Sequence, residues 1–222
     1  IASLLGSGPA LPKAMLGVLK AGKVFVFLNP AFPQARIDFM LENSQSTLLL
    51  TNNENLLLAK ELVRNGLPLI NIDEVDSSHS ANNPGIALAW INYTSGSTGQ
   101  PKGVVQNHRN LLHLFMTQTN DLHISSEDRI STFTSSAGEV LIAVLNGAAS
   151  FSANVKKDGL AGLGDWLIKE EITVYNSVPS VFRHFANTLR VDEKFPKLRL
   201  LRFTGEPLHR TDVDLYSRHC SQ

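Results

Sequence analysis

A chain of 222 residues, 43% of them apolar and 18% charged, has the makeup of a globular protein with one large core or two small ones, which excludes a disordered chain. Its 20 lysines and arginines balance 20 aspartates and glutamates, so no global field draws it to nucleic acid or to a membrane surface, and neither is expected as a partner. The single cysteine, Cys220, excludes an intramolecular disulfide framework; with no apolar run near the roughly 20 residues of a spanning helix, it points to a cytoplasmic location. The chain opens on Ile1 rather than methionine and closes at Gln222 just past an expected helix, which reads as a piece of something larger.

In chain order, Pro9 to Ala21 carries Leu11, Met15, Val18 and Leu19 at helical spacing, and Gly22 is placed to end that helix. A short apolar strand, Val24 to Leu28, follows. Pro33 opens a second helix through Glu42 with Ile37, Met40 and Leu41 inward, and Thr47 to Leu50 reads as a buried strand. The alternation continues with a helix near Asn55 to Arg64 and a strand near Leu67 to Ile72. The serine-, asparagine- and acid-rich run DEVDSSHSANNPG, from Asp73 to Gly85, predicts a surface loop, and a subdomain break is expected near 73–87.

Strands are then expected at Leu88 to Tyr93 and Gly103 to Gln106, with a helix from about Arg109 to Thr119 for which Asn107 is a candidate N-cap. Further strands are predicted near Arg129 to Phe133, Ala149 to Phe151, Thr173 to Asn176 and Leu198 to Phe203. Helices are predicted near Gly138 to Leu145, Leu160 to Lys169, Ser180 to Leu189 and Arg210 to His219. Strands alternating with helices predict an α/β fold of largely parallel sheets covered by helices, with ligands at the carboxyl ends of the strands.

The run YTSGSTGQPKGVV, Tyr93 to Val105, interrupts this pattern. Gly96, Gly99 and Gly103 let main-chain N–H groups approach a ligand; Thr94, Ser95, Ser97 and Thr98 add hydroxyls, and Lys102 a mobile cation. Together they suit a polyphosphate. A Walker A loop requires Gly-Lys followed by Ser or Thr at the start of a helix, whereas Gly103, Val104 and Val105 follow Lys102 and the run joins two strands. A plain glycine-rich hairpin is the alternative to a phosphate grip. His108, His113 and His123 have no metal-ligand spacing, so no metal site is expected from them.

The run resembles the core signature of adenylate-forming (AMP-binding) enzymes, an aromatic or apolar residue followed by T-S-G-S/T-T-G-x-P-K-G-V, continuously from Tyr93 to Val104. LGVLKAGKVFVFLNPAFPQARIDFMLENS, Leu16 to Ser44, resembles the upstream motif L-K-A-G-x-x-Y/F-V-P-L/I-D-P-x-Y/F-P-x-x-R, while HRNLL at 108–112, LNGAAS at 145–150 and FTGEPL at 203–208 also fit. The resemblance spans the whole chain and is strongest to the adenylation domains of nonribosomal peptide synthetases. It implies part of the large N-terminal domain of such an enzyme, with the small C-terminal domain absent. The implied reaction joins a carboxylic acid to the AMP moiety of ATP with release of pyrophosphate, then passes the acyl group to carrier-protein phosphopantetheine or to coenzyme A.

By this resemblance Thr94, Ser95, Gly96, Ser97, Thr98 and Gly99 wrap the nucleotide phosphates, Lys102 closes on the leaving pyrophosphate, and Gly205, Glu206 and Pro207 run beside the adenine. ATP and Mg2+ are implied, the latter with most of its ligands outside these residues. Amino-acid-activating relatives carry F-D-x-S where this chain reads FTSS, so Thr134 stands in the place of an aspartate that pairs with the substrate ammonium. The resemblance therefore points to an acid without a charged α-amine, such as an aryl, keto, hydroxy or fatty acid; a shifted alignment or another amine partner is the competing explanation. Phe133, at the edge, with Thr134, Ser135, Gly138, Ser180, Arg202 and Thr204 would line the acyl pocket. Arg202 reads either as an outward strand residue or as a partner for a polar acyl group. The family's aromatic-Gly-x-Thr-Glu and Thr-Gly-Asp motifs and its distal catalytic lysine are not in these residues, so they are expected to be inactive alone. A noncatalytic nucleotide-binding scaffold of the same fold is the alternative.

Overall fold

The structure, a computed structural model, describes residues 1–6, 8–63, 66–75, 88–94, 100–133, 137–190 and 193–219. Cys220 lies outside them. The chain forms two compact units, Ile1–Met116 and Thr117–Gln222. Among the described residues no helix is long and apolar enough to cross a membrane.

In the first unit, strands β1 (Ala2–Leu4), β2 (Phe25–Leu28), β3 (Leu49–Thr51), β4 (Leu69–Asn71), β5 (Leu88–Thr94) and β6 (Lys102–Asn107) form one sheet in the order β4-β3-β1-β2-β5-β6. All neighbours run parallel except β5 and β6, which are antiparallel. Helices α1 (Ala10–Lys20), α2 (Gln34–Asn43) and α3 (Leu56–Leu62) connect the parallel strands. Because both faces of a parallel sheet are covered, its strands are apolar runs rather than alternating ones. Ala2, Leu4, Val26, Leu28 and Leu49 pack with Ile37, Met40 and Leu41 of α2 and with Ala59 and Leu62 of α3.

The family-like PAFPQAR stretch is used locally here. The Asn29 side chain accepts from the Ala31 N–H at 2.9 Å, and the Arg36 guanidinium lies 4.2 Å from the centre of the Phe32 ring. The break expected near 73–87 falls between β4 and β5, two strands of one sheet, while the units divide inside α4 (His108–Leu122). Strand pairing through β3, β1 and β2 carries the first unit across that polar run, most of which lies outside the described residues.

The second unit holds a parallel sheet in the order β10-β9-β7-β8, from β7 (Arg129–Thr132), β8 (Ala149–Ser152), β9 (Val174–Ser177) and β10 (Leu200–Phe203). Helices α5 (Ala137–Leu145), α6 (Val155–Asp158), α7 (Leu163–Lys169), α8 (Pro179–Ala186) and α9 (Arg210–His219) complete the alternation. One face of the sheet packs an aromatic core. The buried Tyr175 ring lies 5.1 Å from Phe133, 5.8 Å from Phe182 and, stacked, 5.9 Å from Phe185, and Phe182 continues to Phe203 at 5.1 Å.

An ion pair ties the amino ends of the strands in this sheet. Arg199 Nε and Nη2 donate to the two Asp128 oxygens at 2.8 and 2.6 Å, and its guanidinium also reaches the Leu122 and His123 carbonyls. Asp128 further accepts from Thr173 Oγ1 at 2.7 Å and from the Ser125 N–H at 2.9 Å. Burial alone would raise the Asp128 carboxyl, but these hydrogen bonds and the Arg199 charge hold it at about 2.

Candidate functional site

In the first unit, Tyr93 stands opposite Gly103 and Thr94 opposite Lys102 across the antiparallel β5–β6 pair, so the glycine-rich run joins two strands and opens no helix. Ser95, Gly96, Ser97, Thr98 and Gly99 lie outside the described residues. The described walls of the run are Thr94, whose Oγ1 reaches the Lys102 carbonyl at 3.5 Å, and the exposed Lys102 itself. Tyr93 anchors this end of β5 to α2: its hydroxyl lies 2.9 Å from Asn43 Oδ1 and 3.3 Å from the Met40 carbonyl. Burial raises the Tyr93 phenol, partly offset by a hydrogen bond with Ser44.

Gly103 leaves little room for a side chain in this pairing. A Cβ there would sit 3.1 Å from Ile91 Cγ2 and 3.4 Å from the Tyr93 ring. A Gly103→Ala chain is therefore expected to lose about 1 kcal/mol in urea unfolding through overpacking. An unchanged midpoint would show that β6 shifts without cost.

In the second unit, the chain leaves β10 with the Thr204 N–H on the Ser177 carbonyl at 3.2 Å, then turns at Gly205, whose φ of 84° suits glycine. The turn delivers Glu206 to the amino end of α8, where its carboxylate accepts from the Ser180 N–H at 2.9 Å and from Ser180 Oγ at 2.8 Å. Pro179 at the first helical position leaves no N–H to satisfy, so Ser180 presents the first free donor. Its hydroxyl and N–H lower the Glu206 carboxyl, with a further contribution from Arg183. Arg183 in turn binds the fully buried Asp212 at 2.6 Å, and Asp212 accepts from the His209 N–H at 2.8 Å. Glu206 and Ser180, expected beside the adenine and in the acyl pocket respectively, thus bind each other, and Pro207 follows exposed.

Of the other acyl-pocket expectations, Thr134 and Ser135 lie outside the described residues. Gly138 is half-buried in the first turn of α5. Phe133 belongs to the aromatic core, 5.1 Å from Tyr175 and 6.1 Å from Trp166. Arg202 is half-buried on β10 in register with Asn176 of β9. Burial lowers its guanidinium, partly offset by the charge of Glu139 on α5. Asn176, 2% exposed, is a polar residue on this sheet that sequence reading passed over. The signal was present: asparagine is disfavoured in strands, yet it sits inside the run TVYNS.

The AMP-binding enzyme family profile matches residues 1–222. Peramine synthetase ppzA of Metarhizium rileyi (strain RCEF 4871) is 31% identical over a gapped alignment of 219 positions that covers 92% of this chain and 7% of that protein. Gramicidin S synthase 2 of Brevibacillus brevis is 30% identical over a gapped alignment of 232 positions that covers 98% of this chain and 5% of its own length. This chain therefore spans under a tenth of these curated relatives. The nonribosomal peptide synthetase FmoA3 superposes on 99% of the chain with a TM-score of 0.85 at 21% identity, using 24% of its own chain. These matches, together with the strand-to-strand signature loop and the parallel sheets, lead to one identification: the chain belongs to the AMP-binding enzyme family.

Proposed function

We propose that residues 1–222 form part of the large N-terminal region of an ATP-dependent adenylate-forming ligase. The reading rests on the signature run held between antiparallel β5 and β6, with Lys102 at its foot and Thr94 opposite. In the first step a carboxylate oxygen of the acid forms a bond to the α-phosphorus of ATP, and the bond from that phosphorus to the bridging oxygen breaks to release pyrophosphate. In the second, a thiol sulfur bonds to the acyl carbon, AMP leaves and the thiol proton passes to solvent. Neither step needs a covalent protein nucleophile, so the chain's work is positioning and charge stabilisation.

Lys102 donates to the phosphate oxygens that become the leaving pyrophosphate, and the hydroxyl of Thr94 contributes beside it. Glu206 acts through Ser180: it fixes the turn after β10 at the amino end of α8 and so sets the backbone that would lie beside the adenine. Among the described residues no group of three or more His, Cys, Asp or Glu could hold a metal ion. Mg2+, usual with ATP in this family, would find most of its ligands outside these residues and would neutralise charge on the nucleotide phosphates. Thr134 in place of the ammonium-binding aspartate favours an acid without a charged α-amine. The peptide synthetase relatives favour a carrier-protein thiol as acceptor, and the same reading carries a cytoplasmic location.

The test is pyrophosphate exchange into ATP by the full-length protein against a panel of amino, keto, hydroxy, aryl and fatty acids. Exchange is expected with at least one acid lacking an α-amine. Absence of exchange with every acid, together with no nucleotide binding, refutes the proposal. The 222-residue chain alone is expected to exchange far more slowly than the full-length protein, and equal rates would refute that part.

A further inference from the structure

The exposed run from Gly205 to His209, which joins β10 to α9, is held to α8 at both of its ends. At the near end Glu206 accepts from the Ser180 N–H and hydroxyl at 2.9 and 2.8 Å. At the far end the His209 N–H donates to Asp212 Oδ2 at 2.8 Å, and Arg183 donates to Asp212 Oδ1 through Nε at 2.6 Å and to Oδ2 through Nη2 at 3.5 Å. Ser180 and Arg183 stand three residues apart and so share one face of α8. The charges meet there as well: the Arg183 guanidinium is raised by its hydrogen bond to Asp212, with a further contribution from the charge of Glu206.

Capping of α9 does not account for Asp212. A side-chain oxygen three residues past the N-cap reaches back to the N-cap N–H, and a neutral amide does this as well as a carboxylate. Asp212 is removed from solvent altogether and spends its charge on an arginine of another helix. A buried carboxylate in such a pair adds little net stability over an apolar side chain of its size, whereas its directional hydrogen bonds fix one geometry. The geometry fixed here is that of the run carrying Gly205, Glu206 and Pro207. A run left loose would have to be ordered by its ligand, which subtracts from affinity; one held in place beforehand avoids that loss.

We infer that Asp212 is a positioning residue for the nucleotide: through the His209 N–H and Arg183 it holds the Gly205–Pro207 backbone ready to lie beside the adenine. This rests on the adenylation reading above and adds to it a residue outside the signature runs.

The experiment compares the full-length protein with its Asp212→Asn variant, whose amide oxygen still accepts from His209 while the charge facing Arg183 is gone. KM for ATP in pyrophosphate exchange, and the Kd for ATP in direct titration, are expected to rise about 10-fold. At saturating ATP kcat should stay within about 2-fold, because a base far from the reacting atoms is bound alike in ground and transition states. KM for pyrophosphate, which carries no base, should be unchanged. Arg183→Lys, which keeps the charge and loses the fork, is expected to raise the same KM, and the double variant to show less than the product of the two single effects. Arg199→Met, which breaks the Asp128 pair at the amino ends of the strands, controls for lost stability and should leave KM for ATP unchanged.

Unchanged KM and Kd for ATP in both variants, a rise shared by pyrophosphate, single effects that multiply in full, or an equal rise in Arg199→Met overturn the inference while the adenylation reading stands. If the native protein neither exchanges pyrophosphate nor binds ATP, that reading fails and the inference with it. Should Asp212→Asn fail to fold by circular dichroism, Arg183→Lys decides by the same split between ATP and pyrophosphate.

Discussion

An Arg199→Met chain is expected to unfold with a free energy about 2 kcal/mol below the native value, less than for a fully buried pair, because removing the partly exposed Arg199 leaves the buried Asp128 charge without its ionic partner. Asp128 is 3% exposed and receives two hydrogen bonds from the Arg199 guanidinium. Thr173 and the Ser125 N–H remain after the substitution, but neither carries charge. Methionine keeps much of the stem volume, so the loss isolates the guanidinium. Urea unfolding followed by circular dichroism measures it, and a loss below about 0.5 kcal/mol, the range of an ordinary surface change, would show that the pair is solvated.

The same pair sets an acid limit. The Asp128 carboxyl, held at about 2 in the folded chain, ordinarily titrates near 3.8 when unfolded. A depressed carboxyl contributes stability that is fully present above the unfolded value and is lost as pH falls through the folded one. Between about pH 4 and pH 2 the native chain is expected to lose about 2 kcal/mol from this group, and Arg199→Met much less over the same window.

Lys102→Ala in the full-length protein is expected to lower pyrophosphate exchange at saturating substrates by about 100-fold, the usual cost of deleting one donor that stabilises developing charge. The side chain is exposed at the first residue of β6, so the fold should lose no more than about 0.5 kcal/mol. Turnover and ATP affinity both unchanged would remove Lys102 from the reaction. A fall in turnover with intact unfolding behaviour would separate a chemical role from a structural one, which Gly103→Ala cannot do because its cost lies in packing against Ile91 and Tyr93.

Elements with a strong local signature were legible. The α1 and α2 faces, Leu11, Met15 and Val18 and then Ile37, Met40 and Leu41, lie buried as their spacing demands. Asn107 caps α4 by accepting from the Asn110 N–H at 2.8 Å. Gly22, with a φ of 65°, stands just past the end of α1. β1 was not legible. Its three residues Ala2, Ser3 and Leu4 sit between β3 and β2, buried on both faces, and so show neither alternation nor length.

The candidate site divides along the same line. The run from Tyr93 to Val105 points by residue type and order to the phosphate grip proposed above, because close main-chain approach demands glycines and a polyphosphate demands hydroxyls and a cation. Residue type could not tell where Glu206, Arg202 and Asn176 spend their polar atoms. Glu206 and Ser180 are far apart in sequence and bind each other because β9 and β10 are neighbours and both return their chains to one end of the sheet. Asn176 became visible because its β9–β10 register, with the aromatic core claiming Tyr175, left its amide without a partner among the described residues. The sequence by itself therefore determined the family and the α/β alternation, and pointed to the proposed phosphate-loop chemistry, all from residues near one another in the chain. Tertiary structure alone decided which polar groups are satisfied within the fold, since hydrogen bonding and burial are settled between strands and helices distant in sequence.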